Sequence, residues 1–203
     1  MALRLTPGRR VFESRIIERR TMGDELSKIS EKLRLFIESQ QVFFVATAPS
    51  GSGGHVNCSP KGDSQTLKIL DESTLAYLDI TGSGSETIAH LKENGRIVIM
   101  WCSFGEKPMI VRVHGKGRVH LLGEADFESH LTPFAPRLGT RAVIEVSVER
   151  VSSSCGFGVP IMETVKERPD MTDWCKKKGE EKLVDYRRRK NAKSIDGLDS
   201  FSI

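Results

Sequence analysis

The chain has 203 residues, a formal net charge of +4 and 38% hydrophobic residues, which is enough apolar material for one packed domain. Its apolar runs, such as Ile97–Cys102, fall well below the roughly 20 residues of a transmembrane helix, so the sequence predicts a soluble protein without a membrane segment. The positive charge is concentrated at Arg4–Arg20 and Lys176–Lys193, and the chain shows neither a recognisable nucleic-acid module nor a basic stretch with regularly interleaved aromatic residues, which argues against a nucleic-acid partner.

The first 21 residues are basic and have no long apolar stretch, so they are not a secretory signal. We interpret residues 1–21 as a disordered extension of a cytoplasmic protein. Its arginines are also compatible with a mitochondrial presequence, but Glu13 and Glu18 weaken that alternative. The remaining chain is divided into a main domain at 22–151 and a C-terminal loop with a charged surface helix at 152–203.

The predicted elements begin with one amphipathic helix at about 24–39, capped by Asp24. Short strands and a second helix follow, with a turn predicted at 60–63. Further on, Gly115-Lys116-Gly117 predicts a hairpin turn. The expected strands are Val42–Thr47, His55–Ser59, Leu67–Leu70, Thr74–Ile80, Arg96–Cys102, Met109–His114, Arg118–Leu122 and Ala142–Val151, with a short helix at Glu124–Leu131.

This order of elements has too few helices for a doubly wound α/β fold, in which strands alternate with helices throughout. It favours a mainly β, α+β fold: a small antiparallel barrel or curled sheet with peripheral helices.

The stretch DITGSGSETIAHL, residues 79–91, places a small hydroxyl-rich turn before the second helix. It lacks the lysine of a P-loop and the third glycine of a dinucleotide-binding fingerprint. A helix start with free N–H groups still attracts anions. Ser83 to Glu86 also match a capping box, and on residue types alone capping is favoured over phosphate binding.

No metal site is predicted from the sequence. Cys58, Cys102, Cys155 and Cys175 are far apart and form no pair with zinc-ligand spacing, so they are read as reduced structural thiols. His114 and His120 flank the predicted hairpin and face one another, but nothing else near them completes a metal site.

Seven segments in order resemble the pyridoxamine 5′-phosphate oxidase-like family of FMN-binding split barrels. The resemblance covers about residues 24–198. The segments are VFFVATA (42–48), HVNCSPKG (55–62), TLAYLDITGSGSETIAHL (74–91), NGRIVIMW (94–101), MIVRVHGKGRV (109–119), SCGFGVP (154–160) and KNAKSIDGL (190–198).

The resemblance implies a six-stranded antiparallel split β-barrel with peripheral helices, assembled as a homodimer with FMN at the interface. The strand, turn and helix at 76–90 then correspond to the FMN phosphate site, and HVNCSPKG to the other flavin-lining strand. Arg112, which faces away from its neighbours Val111 and Val113, is expected near the partner's phosphate. The implied FMN-binding residues are Asn57, Ser59, Lys61, Thr81, Gly82, Ser83, Gly84, Ser85, Thr87 and Arg112.

Three positions depart from the pyridoxamine phosphate oxidases proper. Those enzymes carry Ser-Arg-Lys where this chain has Ser85-Glu86-Thr87, and an arginine where it has Val56. The resemblance therefore implies an FMN-dependent oxidoreductase outside vitamin B6 oxidation, acting on a small organic substrate that the sequence does not identify. The alternative is a non-catalytic flavin-binding sensor, storage or scavenging protein. No catalytic residue is assigned.

Overall fold

The computed structural model describes residues 25–62 and 64–201. Within them, eight strands form one antiparallel sheet. The strands are β1 (Glu25–Leu26), β2 (Val42–Thr47), β3 (Asn57–Gly62), β4 (Leu67–Asp71), β5 (Thr74–Ile80), β6 (Arg96–Cys102), β7 (Ile110–Leu121) and β8 (Thr140–Ser154). Their order across the sheet is β3-β2-β6-β7-β8-β5-β4, and β1 pairs with β8 in addition.

The sheet curls around one hydrophobic core. Alternate residues of β2, β5, β6, β7 and β8 point inward, as a two-residue side-chain period requires, and they meet in a single buried cluster. Phe43, Tyr77 and Trp101 lie at its centre, with the Phe43 and Tyr77 rings 5.5 Å apart in an edge-to-face arrangement. The predicted antiparallel α+β fold is confirmed, with two more strands than the six expected.

Five helices lie at the periphery of the described part of the chain: α1 (Glu31–Glu38), α2 (Glu86–Asn94), α3 (Phe127–Leu131), α4 (Asp170–Lys178) and α5 (Glu180–Lys190). Leu33 and Ile37 of α1, and Ile88 and Leu91 of α2, pack into the main core. Phe127 of α3 instead joins a smaller cluster with Leu78 and Val143, on the opposite face of the sheet.

The first helix begins later than predicted. Residues 25 and 26 form a strand that pairs with Val151 and Ser152, and α1 starts only after the extended Ser30. Sheet pairing of this short segment outweighs the apolar spacing that suggested a longer helix. The N-terminal extension 1–21 and the predicted cap Asp24 lie outside the described residues.

The predicted hairpin around Gly115-Lys116-Gly117 is wrong, because β7 runs straight through it. The register with β8 shifts between His114 and Gly115, and a β-carbon at Gly115 would overlap the Ser147 carbonyl oxygen of β8. A β-carbon at Gly117 would come within 2.8 Å of the Leu91 methyl groups of α2. These glycines permit close packing and do not form a turn.

Several other boundaries differ. The predicted turn at 60–62 belongs to β3, whose Pro60 is tolerated because β3 is an edge strand. β8 extends to Ser154, past the expected end of the main domain, and the C-terminal region contains two helices. Among residues 25–62 and 64–201, we find no helix with the length and apolar character needed to cross a membrane.

Candidate functional site

A cavity of about 890 Å³, called here the main cavity, opens between β3, the end of β5, the start of α2 and residues 164–176. Its volume lies in the range of sites for small molecules and cofactors. Six basic side chains line it, Lys61, Arg137, Arg141, Lys166, Arg168 and Lys176, against the three acidic side chains Glu86, Glu167 and Asp173. This excess of positive charge favours an anionic ligand.

The N-terminus of α2 forms one wall of the main cavity, through Gly84, Ser85, Glu86 and Thr87. The helix starts at Glu86, and its N-cap is Ser85, whose side chain makes no capping hydrogen bond. The predicted capping box that starts at Ser83 is therefore wrong. Because the first N–H groups of a helix have no partner within the helix, this end can bind an anion through its backbone.

A buried ion-pair cluster lies behind this wall. The Asp79 carboxylate accepts hydrogen bonds from Lys61 Nζ at 3.0 Å and from Arg141 Nε at 2.8 Å. Burial alone would raise the pKa of Asp79, but the two cations lower it to about 2. Asp79 therefore stays ionised. Lys61, which was predicted to contact a cofactor, forms an ion pair with this carboxylate.

Arg141 contacts the turn that precedes α2. Its Nη2 donates to the Gly84 carbonyl oxygen at 2.7 Å, which fixes the turn before the helix. Its Nη1 is buried without a hydrogen-bond partner among the described residues, although the side chain lines the main cavity. A buried guanidinium N–H normally has a partner, so this atom identifies a position for an additional acceptor.

Asn57 is connected to the helix start by a network of side chains. Its Nδ2 donates to Thr87 Oγ1 at 3.0 Å and, more weakly, to Thr47 Oγ1 at 3.3 Å. Thr47 Oγ1 also lies 3.0 Å from His90 Nδ1. Burial lowers the pKa of His90, so its imidazole is neutral at pH 7. The network holds β3 and α2 in a fixed relation along the cavity wall.

The C-terminal segment holds residues 81–85, called here the glycine turn, in place. Asn191 Nδ2 donates to the Gly82 carbonyl oxygen at 2.9 Å, and Ser200 Oγ donates to the Ser85 carbonyl oxygen at 2.8 Å. Ser85 Oγ in turn donates to the Lys193 carbonyl oxygen at 3.3 Å. The hydroxyl of Ser85 is therefore already engaged by the chain itself.

The sequence-predicted site residues fall into three groups. Most of them line the main cavity: Asn57, Ser59, Lys61, Gly82, Gly84, Ser85 and Thr87. Thr81 and Ser83, again with Gly82, line a second, adjacent cavity of about 630 Å³ beside α4. Arg112 lines neither cavity and donates from Nη1 to Ser154 Oγ at 3.2 Å.

The Thr81 side chain has an internal structural role. It is fully buried, its hydroxyl donates to the Gly139 carbonyl oxygen at 2.7 Å, and it accepts a hydrogen bond from Arg187 Nε at 2.8 Å. Thr81 thus connects the glycine turn to α5 and to the loop before β8. A direct contact of its hydroxyl with a ligand would require these bonds to break.

Sequence reasoning missed Asp79 and Arg141 as site residues. Both interrupt apolar strands, in TLAYLDI and in TRAVIEV. A charged residue in a buried strand needs a partner of opposite charge, so this pair of interruptions was the available signal. The contribution of Asn191 and Ser200 left no comparable signal, because they bond to backbone carbonyl groups.

Comparisons with known proteins identify the family. The sequence profile of the family described as Pyridoxamine 5′-phosphate oxidase matches residues 29–155. The chain belongs to this family. A relative in Aspergillus flavus, the pyridoxamine 5′-phosphate oxidase family protein ustO, is 37% identical over 188 residues, which cover 84% of this chain and 74% of the relative.

Two solved structures show a more distant similarity. HupZ from Group A Streptococcus is 22% identical, with a TM-score of 0.45 over 61% of this chain and 91% of that protein. An FMN-binding protein from Syntrophomonas wolfei is 17% identical, with a TM-score of 0.45 over 61% of this chain and 84% of that protein. The family assignment from the sequence is confirmed by the profile and the Aspergillus relative.

Proposed function

We propose that this member of the pyridoxamine 5′-phosphate oxidase family binds FMN in the main cavity and is an FMN-dependent oxidoreductase acting on a small organic substrate. The observation that carries the proposal is the basic cavity wall formed by Arg141 and the start of α2, in a chain of this family. Bound FMN would supply hydride or single-electron transfer, while the protein supplies binding and orientation.

The residues present fit a phosphate-bearing ligand. Arg141 Nη1 is a buried donor that lacks an acceptor among the described residues, and the first N–H groups of α2 have no side-chain cap. Together they offer a guanidinium and backbone donors to one anion, the arrangement that binds phosphate most strongly. Arg141 would thus supply the positive charge that the oxidases proper provide through basic residues at the positions of Glu86 and Thr87.

The other predicted residues then have distinct tasks. Thr87 retains its hydroxyl hydrogen for the phosphate, because Thr87 Oγ1 is the acceptor of the Asn57 bond. Asn57 and Ser59 would contact the ribityl chain or the ring along β3, while Lys61 lines the cavity with its ammonium paired to Asp79. Glu86 places a carboxylate beside the same wall and opposes a phosphate dianion.

The proposal includes a homodimer, as the family resemblance implied. Support comes from exposed apolar side chains that a single chain leaves uncovered, among them Phe157 at 78%, Ile161 at 70% and Val165 at 92% exposure. Large apolar side chains that are this exposed within nine residues of one another suggest an interaction surface. Arg112, which lies outside the cavity of its own chain, would approach the FMN of the second copy.

The test starts from the visible spectrum of the purified protein, before and after addition of FMN. Flavin bands that bleach with NADH or NADPH under anaerobic conditions would support the oxidoreductase. Bands that persist with both donors would favour a non-catalytic flavin-binding protein. A colourless protein that takes up no added FMN would overturn both. Light scattering after size exclusion tests the dimer, and a monomer that holds FMN would contradict it.

A further inference from the structure

Two histidines and two carboxylates meet where α3 packs on β7 and β8, away from the main cavity. His120 lies on β7 and Glu145 on β8, Asp126 is the N-cap of α3, and His130 lies within that helix. The sequence analysis predicted that His120 faces His114 across a hairpin. Because β7 is one continuous strand, His120 instead faces α3, on the opposite side of β7 from the core residue Leu121.

The geometry of the cluster converges on the Asp126 carboxylate. Its Oδ2 lies 2.8 Å from His120 Nδ1 and 3.7 Å from His130 Nε2. Potential ligand atoms of His120, Asp126 and His130 all lie within 4.8 Å of one another. No other group of three such side chains among residues 25–62 and 64–201 meets that condition.

Two further observations support a ligand at this cluster. His130 Nδ1 lies 3.4 Å from Glu145 Oε2, on the far side of the ring from Asp126. A carboxylate that accepts the second ring N–H of a histidine is the usual outer-shell partner of a metal-binding imidazole. In addition, His120 is only 2% exposed, so the packing around it holds its Nδ1 in place beside the Asp126 carboxylate.

We propose that His120, Asp126 and His130 bind one zinc ion, with Glu145 as the outer-shell partner of His130. Two imidazoles and one carboxylate form a donor set typical of zinc sites that leave a fourth position for water. The bound ion would fasten the short helix α3 to the sheet. This proposal does not depend on flavin binding, because none of the four residues lines either cavity.

Binding requires a small rearrangement. The imidazole rings of His120 and His130 are stacked, with centroids 3.5 Å apart and an angle of 16° between their planes. A metal lies in the plane of each ligating ring, at about 2.1 Å from its nitrogen, so the stack must open. His130 can make this movement because its side chain is 28% exposed, whereas the His120 side chain is only 3% exposed and therefore fixed.

The experiment uses the full chain without a histidine tag, after chelator treatment. Cys58 and Cys155 are replaced by serine, because these exposed thiols also bind zinc. Zinc is titrated against a chromophoric chelator, and cobalt absorption reports the coordination geometry. We expect one equivalent of zinc, with at least tenfold weaker binding in His130→Ala and Asp126→Asn. Zinc should also raise the melting temperature of the parent chain but not of these variants.

His114→Ala is the matched control, since His114 is an exposed histidine of the same strand. It should retain the affinity of the parent chain. Failure of the parent chain to bind one equivalent would overturn the proposal, and so would unchanged affinity in both His130→Ala and Asp126→Asn. Asp126 carries an exposed carboxylate outside the core, so its variant keeps the test valid if the histidine variant unfolds.

Discussion

At the scale of single residues, the phosphate of the proposed FMN would lie beside two opposite charges, those of Arg141 and Glu86. Arg141 offers a buried Nη1 donor without an acceptor among the described residues, and Glu86 offers a carboxylate on the same wall. FMN and riboflavin differ by the phosphate alone. The ratio of their affinities therefore isolates the phosphate contribution from the rest of the ligand.

We expect Arg141→Met to weaken FMN binding about tenfold to hundredfold, because hydrogen bonds to charged groups contribute about 1.5–3 kcal/mol. Glu86→Gln should strengthen FMN binding severalfold by removing a like charge. Riboflavin affinity should change less than about threefold in both variants, since it carries no phosphate. Quenching of flavin fluorescence gives the two dissociation constants. Equal losses for FMN and riboflavin in Arg141→Met would contradict the assignment of Arg141 to the phosphate.

The sequence was informative for residues near one another in the chain and uninformative for those that depend on strand register. Ser85 and Thr87 could be placed at the cavity because the turn, the helix start and the family pattern coincide. Arg141 meets Asp79 only because β5 and β8 pair, and 62 residues separate the two. No local pattern encodes that pairing, so the principal cation of the site came from the structure.

At the scale of elements, β7 shows how a glycine pattern can mislead. Gly-Lys-Gly between two apolar stretches is typical of a hairpin turn, whereas the actual constraint is the close approach of β8 and α2 to β7. The first helix was predicted to start too early for a related reason, since residues 25 and 26 form a strand that pairs with β8. By contrast, the predicted bounds of β2, β5 and β6 are those of the structure, because their apolar stretches are bounded by clear turn signals.

Gly115→Ala tests this interpretation of β7. A β-carbon at 115 would overlap the Ser147 carbonyl oxygen, and a backbone atom within a sheet cannot move aside easily. We expect a loss of about 2–3 kcal/mol in the free energy of unfolding, the usual cost of overpacking. Urea denaturation followed by circular dichroism provides the measurement.

Gly105→Ala serves as the control for that substitution, because its nearest neighbour to an added β-carbon is Ser103 Oγ at 3.7 Å. It should change the free energy of unfolding by less than about 1 kcal/mol. If both variants lose the same stability, intrinsic differences between glycine and alanine explain the result, and the close approach of β7 and β8 does not.

At the scale of the whole molecule, the Asp79 cluster connects strands that are distant in the sheet. β3 is one edge of the sheet, while β5 and β8 lie near the other edge. Lys61 and Arg141 meet on the one carboxylate of Asp79, so the cluster holds the curled sheet in shape. The overall fold could be predicted because the family pattern covers most of the chain, but this connection between edges could not.

Acid should weaken this connection. The pKa of Asp79 is about 2 in the fold and 3.8 in an unperturbed carboxyl, so the ionised group stabilises the fold above about pH 4. That stability, about 2 kcal/mol by the usual conversion, is lost as the pH falls through about 4 toward about 2. Urea unfolding across this range should therefore show a smaller decline for Asp79→Asn than for the parent chain.

Asp185→Asn is the control for the acid experiment, because Asp185 is an exposed partner of Arg189 at the surface of α5. It should follow the pH dependence of the parent chain. A parent chain and an Asp79→Asn variant with the same decline in stability would show that the buried carboxylate does not govern the acid response.

The attachment of the C-terminal segment to the glycine turn has a consequence for synthesis of the protein. Residues 82–85 leave the ribosome more than 100 positions before Asn191 and Ser200, which hold their carbonyl groups in place. Because synthesis runs from the N-terminal end, all strands of the sheet are made before the two side chains that hold the glycine turn. A chain that stops short of residue 191 would thus contain every strand of the sheet but lack two of the side chains that hold the cavity wall in place.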